Sequence, residues 1–299
     1  MKHFKKKLIV CLLSVVFFSC SKKDDTTNSN PTPTTSLPRL IFKFKFDSTQ
    51  VRLNNLGQIA VLPAGHSGQS PHFNKMSAHY IELAPDSLTP LGFGNKLYHA
   101  PETTFGGTSA IDFDSSIVVA EGQIFYSTPL SSLTAGTYRW LRVSLAYQNY
   151  NIRYSASGFN LTATVASFIG FDTYIRSYKI KDSLINVNAN KRQGFWGFES
   201  SVLSTGFVSQ GQAPPGATTV PNPISATSPV PSGSCVVTGA FTSPLVITGH
   251  ETHDIVITVS LSTNKSFEWK DANANGIYEP LLGDTVVDMG VRGLIPIVQ

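Results

Sequence analysis

The 299-residue chain has 23 Lys plus Arg against 19 Asp plus Glu, and its charged residues make up only 14%. Four of the lysines (Lys2, Lys5, Lys6 and Lys7) stand within the first 19 residues and no acid does, so the remainder balances at 19 against 19. A balanced remainder gives a nucleic-acid partner no electrostatic support. Of three cysteines only Cys235 lies beyond residue 20, which excludes an intrachain disulfide or a cysteine-rich zinc site there.

In chain order, a cationic start (Met1 to Lys7) precedes an apolar run from Leu8 to Phe18 and a small residue, Ser19. That is the layout of a secretory signal peptide over 1–19. The run is shorter than the ~20 apolar residues a membrane-spanning helix needs. Phe17-Phe18-Ser19-Cys20 resembles the lipobox of bacterial lipoproteins, with Phe17 where the pattern prefers Leu. The resemblance implies cleavage before Cys20, diacylglycerylation of its thiol and acylation of its new amine. With more than one acyl chain, such a residue anchors stably to a membrane. Ser21-Lys22-Lys23-Asp24-Asp25 resembles the surface-export signal of Bacteroidota lipoproteins, implying the outer membrane and its outward leaflet, with a periplasm-facing anchor as the alternative.

Residues 20–38 are polar, contain prolines and nearly lack large apolar side chains, so they read as a disordered lipoprotein tether. Its reach is about 25 Å. From residue 39 the dominant period is two. Leu40, Phe42, Phe44 and Phe46 share one strand face, and similar runs recur at 58–62, 78–83, 116–120, 123–127, 138–147, 161–169, 173–180, 236–241, 254–262 and 285–289. No three-turn helix stands out. The expectation is an all-β fold, an elaborated, Greek-key-like antiparallel β-sandwich over 39–299. A proline-bearing loop is expected at 209–234, and two β domains (39–208 and 235–299) are the alternative.

The sharpest candidate site is Asp271-Ala272-Asn273-Ala274-Asn275-Gly276-Ile277-Tyr278-Glu279. Asp271, Asn273 and Asn275 at positions 1, 3 and 5, Gly276 at 6 and Ile277 at 7 resemble the start of an EF-hand-type Ca²⁺ loop. The resemblance breaks at position 12, where Leu282 replaces the bidentate Glu, so Glu279 or Asp284 has to close the shell. The competing reading is a bare Asn275-Gly276 turn between strands. A bound calcium would have a structural role.

Other candidates are weaker. His250-Glu251-Thr252-His253 is one residue short of HExxH and leads into a strand, where i and i+3 face opposite ways. His66, His72, His79 and His99 crowd the N-terminal third. Asp112/Asp114 and Asp182/Glu199 are the carboxylate pairs open to glycoside hydrolysis. Tyr138, Trp140, Tyr147, Tyr150, Tyr154, Phe195, Trp196, Phe198 and Trp269 form either a sugar-stacking platform or a core. Cys235 opens an apolar run and reads as a buried, inert thiol. The segment Gly194-Phe195-Trp196-Gly197-Phe198-Glu199 is similar to the aromatic segment of the MbnP-like periplasmic copper-binding β-sandwich family, but no matching histidine pattern carries that family's ligands over.

These features point to a lipid-anchored, non-enzymatic binding or structural module whose ligand is a glycan, a metal or a protein. A polysaccharide-active hydrolase is the alternative.

Overall fold

The computed structural model describes residues 37–54, 58–202, 205–213 and 234–299. The signal segment, Cys20, nearly all of the tether and residues 214–233 of the expected proline-bearing loop lie outside them. In chain order the strands are β1 (Arg39–Asp47), β2 (His66–Gln69), β3 (His72–Ala84), β4 (Asn95–His99), β5 (Glu102–Thr103) and β6 (Ala110–Asp112). Next come β7 (Ile124–Pro129), β8 (Gly136–Ala156), β9 (Phe159–Phe168), β10 (Asp172–Lys179), β11 (Leu184–Arg192) and β12 (Phe195–Val202). The last are β13 (Thr205–Gln212), β14 (Cys235–Ile247), β15 (Ile255–Ser262), β16 (Phe267–Lys270), β17 (Thr285–Asp288) and β18 (Leu294–Val298). The only helical pieces among the described residues are three-residue 3₁₀ turns.

The chain is all-β, and its centre is the 21-residue strand β8. One edge of β8 pairs with β3. The other is shared: β14 pairs with 136–145 and β9 with 147–156. The exchange falls at Ala146, whose carbonyl accepts the N–H groups of both Ile169 and Gly170. Ala146 is an extra residue in the β3–β8 ladder, because Ser77 pairs with Tyr147 and Ala78 with Leu145. Such a bulge shifts the alternation by one. Leu141, Val143 and Leu145 face the main core before it, and Tyr150, Ile152 and Tyr154 face the same core after it.

Two smaller sheets cover this large one. β18-β15-β1-β7 lies over the main core, where Leu40, Phe42, Phe44, Phe125 and Ile257 meet the inward residues of β3 and β8. Phe44 stacks on Phe125 at 3.8 Å between centroids. On the other face, Tyr147, Phe168 and Phe195 lie side by side in cross-strand register. Ile175, Tyr178 and Ile180, from β10 and the residue after it, close over them. Antiparallel pairing dominates, but β1–β15 and β6–β10 are parallel.

The segment after residue 234 is not set apart. β14 joins β8, and β15 inserts between β1 and β18. Residues 37–299 form one compact unit. Two expected strands are absent: 58–62 contributes one bridge at Ile59, and 116–120 one bridge between Val119 and Met76. Val61 is 83% exposed, so that apolar run has no face to bury. Ser209–Gln212, expected in the proline-bearing loop, instead belong to β13, paired with β12.

Phe44→Ala would remove a fully buried ring from the main core. An expected loss of about 3–5 kcal/mol is measurable by urea unfolding.

Candidate functional sites

β16 and β17 pair antiparallel, and residues 271–284 connect them. Asp271 organises the loop from its first position. Its Oδ2 accepts the Gly276 N–H at 2.7 Å and the Ser67 hydroxyl at 2.8 Å, and its Oδ1 accepts the Asn275 N–H at 3.2 Å. Gly276 has φ +75°, which explains glycine at that position. Asn273 and Asn275 each place an amide nitrogen on Glu279 Oε2, at 2.9 and 2.7 Å. Asp271, Asn273, Asn275 and Glu279 therefore gather in one loop.

Asp284 serves differently. It is 7% exposed, and its two oxygens accept the N–H groups of Ala272 (2.9 Å) and Glu279 (2.7 Å). It ties the loop's two limbs together. Leu282 is exposed. Ile277 N–H donates to Asn275 Oδ1 at 2.8 Å.

Of the four N-terminal histidines, the fold joins two. His66 Nδ1 lies 2.6 Å from buried Glu268, and His72 is exposed at the start of β3. His79 and His99 converge with their rings 4.7 Å apart, and both Nε2 atoms reach Glu102 Oε1, at 3.0 and 3.1 Å. Glu102 was not singled out in the sequence. The available signal was the His99-x-x-Glu102 spacing, which means little until β3 lies alongside β4. Burial pushes His79 toward its neutral form, while its hydrogen bond pulls Glu102 down to about 2. A neutral His79 donating from Nε2 to a carboxylate accounts for both shifts.

His250 and His253 are exposed in the loop between β14 and β15. There Glu251 accepts the N–H groups of Thr248 and Gly249, and the Thr252 hydroxyl meets His253 Nδ1.

The carboxylate pairs are occupied. Asp112 accepts the Ser115 hydroxyl and Asp114 pairs with Arg176. Glu199 is lowered: burial opposes its ionisation, but the backbone N–H groups of Lys181, Ser183 and Asp182 outweigh it. A general acid needs the opposite shift. The two most buried carboxylates are also saturated. Glu82 accepts from the Tyr80 hydroxyl, Gly92, Gly94 and Arg142. Glu268 binds Arg52, Arg292 and His66. Cys235 is buried in the main core, and its thiol is pushed up to about 12 by desolvation.

The aromatic residues divide. Tyr138, Tyr147, Tyr150, Tyr154, Phe195 and Trp269 are buried, and Arg142, on β8 with Tyr138 and Trp140, is buried against Glu82. Trp196 and Phe198 are half-buried. With Phe159, Phe207 and Leu281 they line an open groove of about 630 Å³ that also reaches the Tyr154 ring. Trp196 packs against Gly211 of β13, where a Cβ would sit 2.6 Å from the indole. Phe207, Phe159 and Leu281 are each about half exposed or more.

No protein-family model, no curated protein and no solved structure matches this chain.

Because the Glu102 carboxyl is depressed from 4.5 to about 2, its contribution is complete above pH 4.5 and lost as pH falls through 2. Glu102→Gln should therefore flatten stability against pH in that window, read by chemical denaturation at each pH.

Proposed function

We propose that this chain is an outer-membrane lipoprotein, anchored through lipidated Cys20 and displayed at the cell surface, whose β-sandwich is a non-enzymatic binding module. The groove of Trp196, Phe198, Phe159 and Phe207 supports the binding reading. Monomeric proteins seldom leave several large aromatic rings together in water unless something covers them. Aromatic side chains lining an open groove, with Ser157, Thr205 and Ser209 beside them, suit the apolar faces of pyranose rings. A surface glycan is the ligand chemistry proposed. The occupied carboxylates described above favour binding over hydrolysis.

Calcium belongs to the same reading in a structural role. We propose that Asp271, Asn273, Asn275, the Ile277 carbonyl and Glu279 hold one Ca²⁺, with Asp284 bracing the loop. The amide groups of Asn273 and Asn275 can turn their oxygens inward, since nitrogen and oxygen ends differ only by rotation.

Three measurements test this. Globomycin should cause unprocessed precursor to accumulate, and a mature start at any residue other than Cys20 would end the anchoring assignment. Titration of the mature protein with soluble oligosaccharides should change tryptophan fluorescence. Trp196→Ala and Phe207→Ala should each weaken binding by about tenfold, equivalent to ~1.4 kcal/mol. Added Ca²⁺ should raise the thermal midpoint by a few degrees after EDTA treatment, as expected for ~2.7 kcal/mol at a hundredfold excess over Kd. An unchanged midpoint would remove the ion.

A further inference from the structure

We propose that His79, His99 and Glu102 form a site for a divalent first-row transition metal ion of the Zn²⁺ kind, a function separate from the glycan groove and the calcium loop.

The three ligand atoms lie within 4.8 Å of one another. Zn²⁺ bonds of 2.0–2.2 Å in a tetrahedral arrangement place neighbouring ligands about 3.3 Å apart. The 3.0 and 3.1 Å from Glu102 Oε1 to the two Nε2 atoms need open by only a few tenths of an ångström, while the two imidazoles, whose ligand atoms lie within 4.8 Å, adjust to the same spacing. Two neutral imidazoles and one carboxylate supply a single negative charge and borderline donors. That set suits Zn²⁺ and its neighbours, whereas Ca²⁺ requires six or more oxygens. The three residues leave a fourth position open, and His99 is half exposed, which gives the ion a path in.

His79 supplies the strongest argument. It has no exposed surface, its Nε2 meets Glu102, and its Nδ1 is buried with no hydrogen-bond partner. Burying an imidazole is costly, and the nitrogen it presents to Glu102, and would present to an ion, is Nε2. It is also the extra residue of a β-bulge, since Ala78 pairs with Leu145 and Tyr80 with Ser144. Bulges of this kind re-aim a side chain.

The surroundings hold the ligands in place. The Ser109 hydroxyl donates to Glu102 Oε2 at 2.7 Å, leaving Oε1 for the ion. Phe171 packs against the His79 ring at 5.4 Å, and Tyr80 meets His99 edge-on. The Ala100 N–H donates to the His79 carbonyl at 2.7 Å, fixing the bulge to the residue next to His99. Outer partners of this sort orient the ligands of metal sites.

The test uses the mature lipoprotein in detergent, stripped by chelator and dialysed. Titration with Co²⁺, followed by its visible ligand-field bands, should show one equivalent in a four- or five-coordinate site, displaced by Zn²⁺. His99→Ala and Glu102→Gln replace partly exposed groups and should weaken binding by about a hundredfold, with circular dichroism unchanged. Ser109→Ala should weaken it by about tenfold. His250→Ala/His253→Ala should leave it unaltered. Substoichiometric binding, or full binding by His99→Ala, would overturn the site and leave a hydrogen-bonded triad. Saturating Ca²⁺ during the titration keeps the 271–284 loop from contributing.

Discussion

The architecture depends on how β8 satisfies its backbone. A 21-residue strand presents more N–H and C=O groups along one edge than a single neighbour of ordinary length can pair. The chain resolves this by giving that edge to β14 for the first half and β9 for the second, with the Ala146 carbonyl closing the seam. The seam inserts one residue into β8. On the opposite edge β3 inserts one of its own, His79, and the ladder returns to its former register at Tyr80 and Ser144. The position of His79 is thus a consequence of the seam. The bulge that repairs the register is the same one that turns an imidazole toward Glu102.

Compensation also governs the buried charge. Glu82 is fully buried, and a lone carboxylate there would be prohibitively costly. Arg142 from β8, the Tyr80 hydroxyl and two backbone N–H groups saturate it, which pins residues 92–94 against β3. Glu268 does the same for β16, binding Arg52, His66 and Arg292 from three separate segments. Such clusters contribute little net stability, but removing one partner strands the others. Their effect here is to fix where loops attach.

Sequence pattern revealed the fold class because alternation survives wherever one strand face is dry. Leu40, Phe42 and Phe44 announced β1 in this way, and 254–262 announced β15. It failed where burial is absent or two-sided. β11, with Asn186, Asn188 and Asn190, alternates weakly because much of it meets water, and β13 is exposed along most of its length. The apolar run 58–62 misled because hydrophobicity without a partner surface makes no strand. The two parallel pairings were invisible, since register between β1 and β15 spans more than two hundred residues. At the candidate sites, the 271–279 cluster was readable because its polar residues are contiguous. The His79–His99–Glu102 grouping was not, because it depends on a bulge and on β3 lying against β4.

The groove and the 271–284 loop are not independent. Tyr278, Pro280 and Leu281 of that loop form one wall of the groove, while Glu279, between them, faces Asn273 and Asn275. The Ser155 N–H holds the Tyr278 carbonyl at 2.8 Å, so the loop is stitched to the end of β8 where the groove begins. An ion among Asp271, Asn273, Asn275 and Glu279 would order the same backbone that a groove ligand must find ordered. If both bind, ordering of this shared backbone by one would favour the other. The histidine cluster draws on β3, β4 and β5 and shares no residue with either.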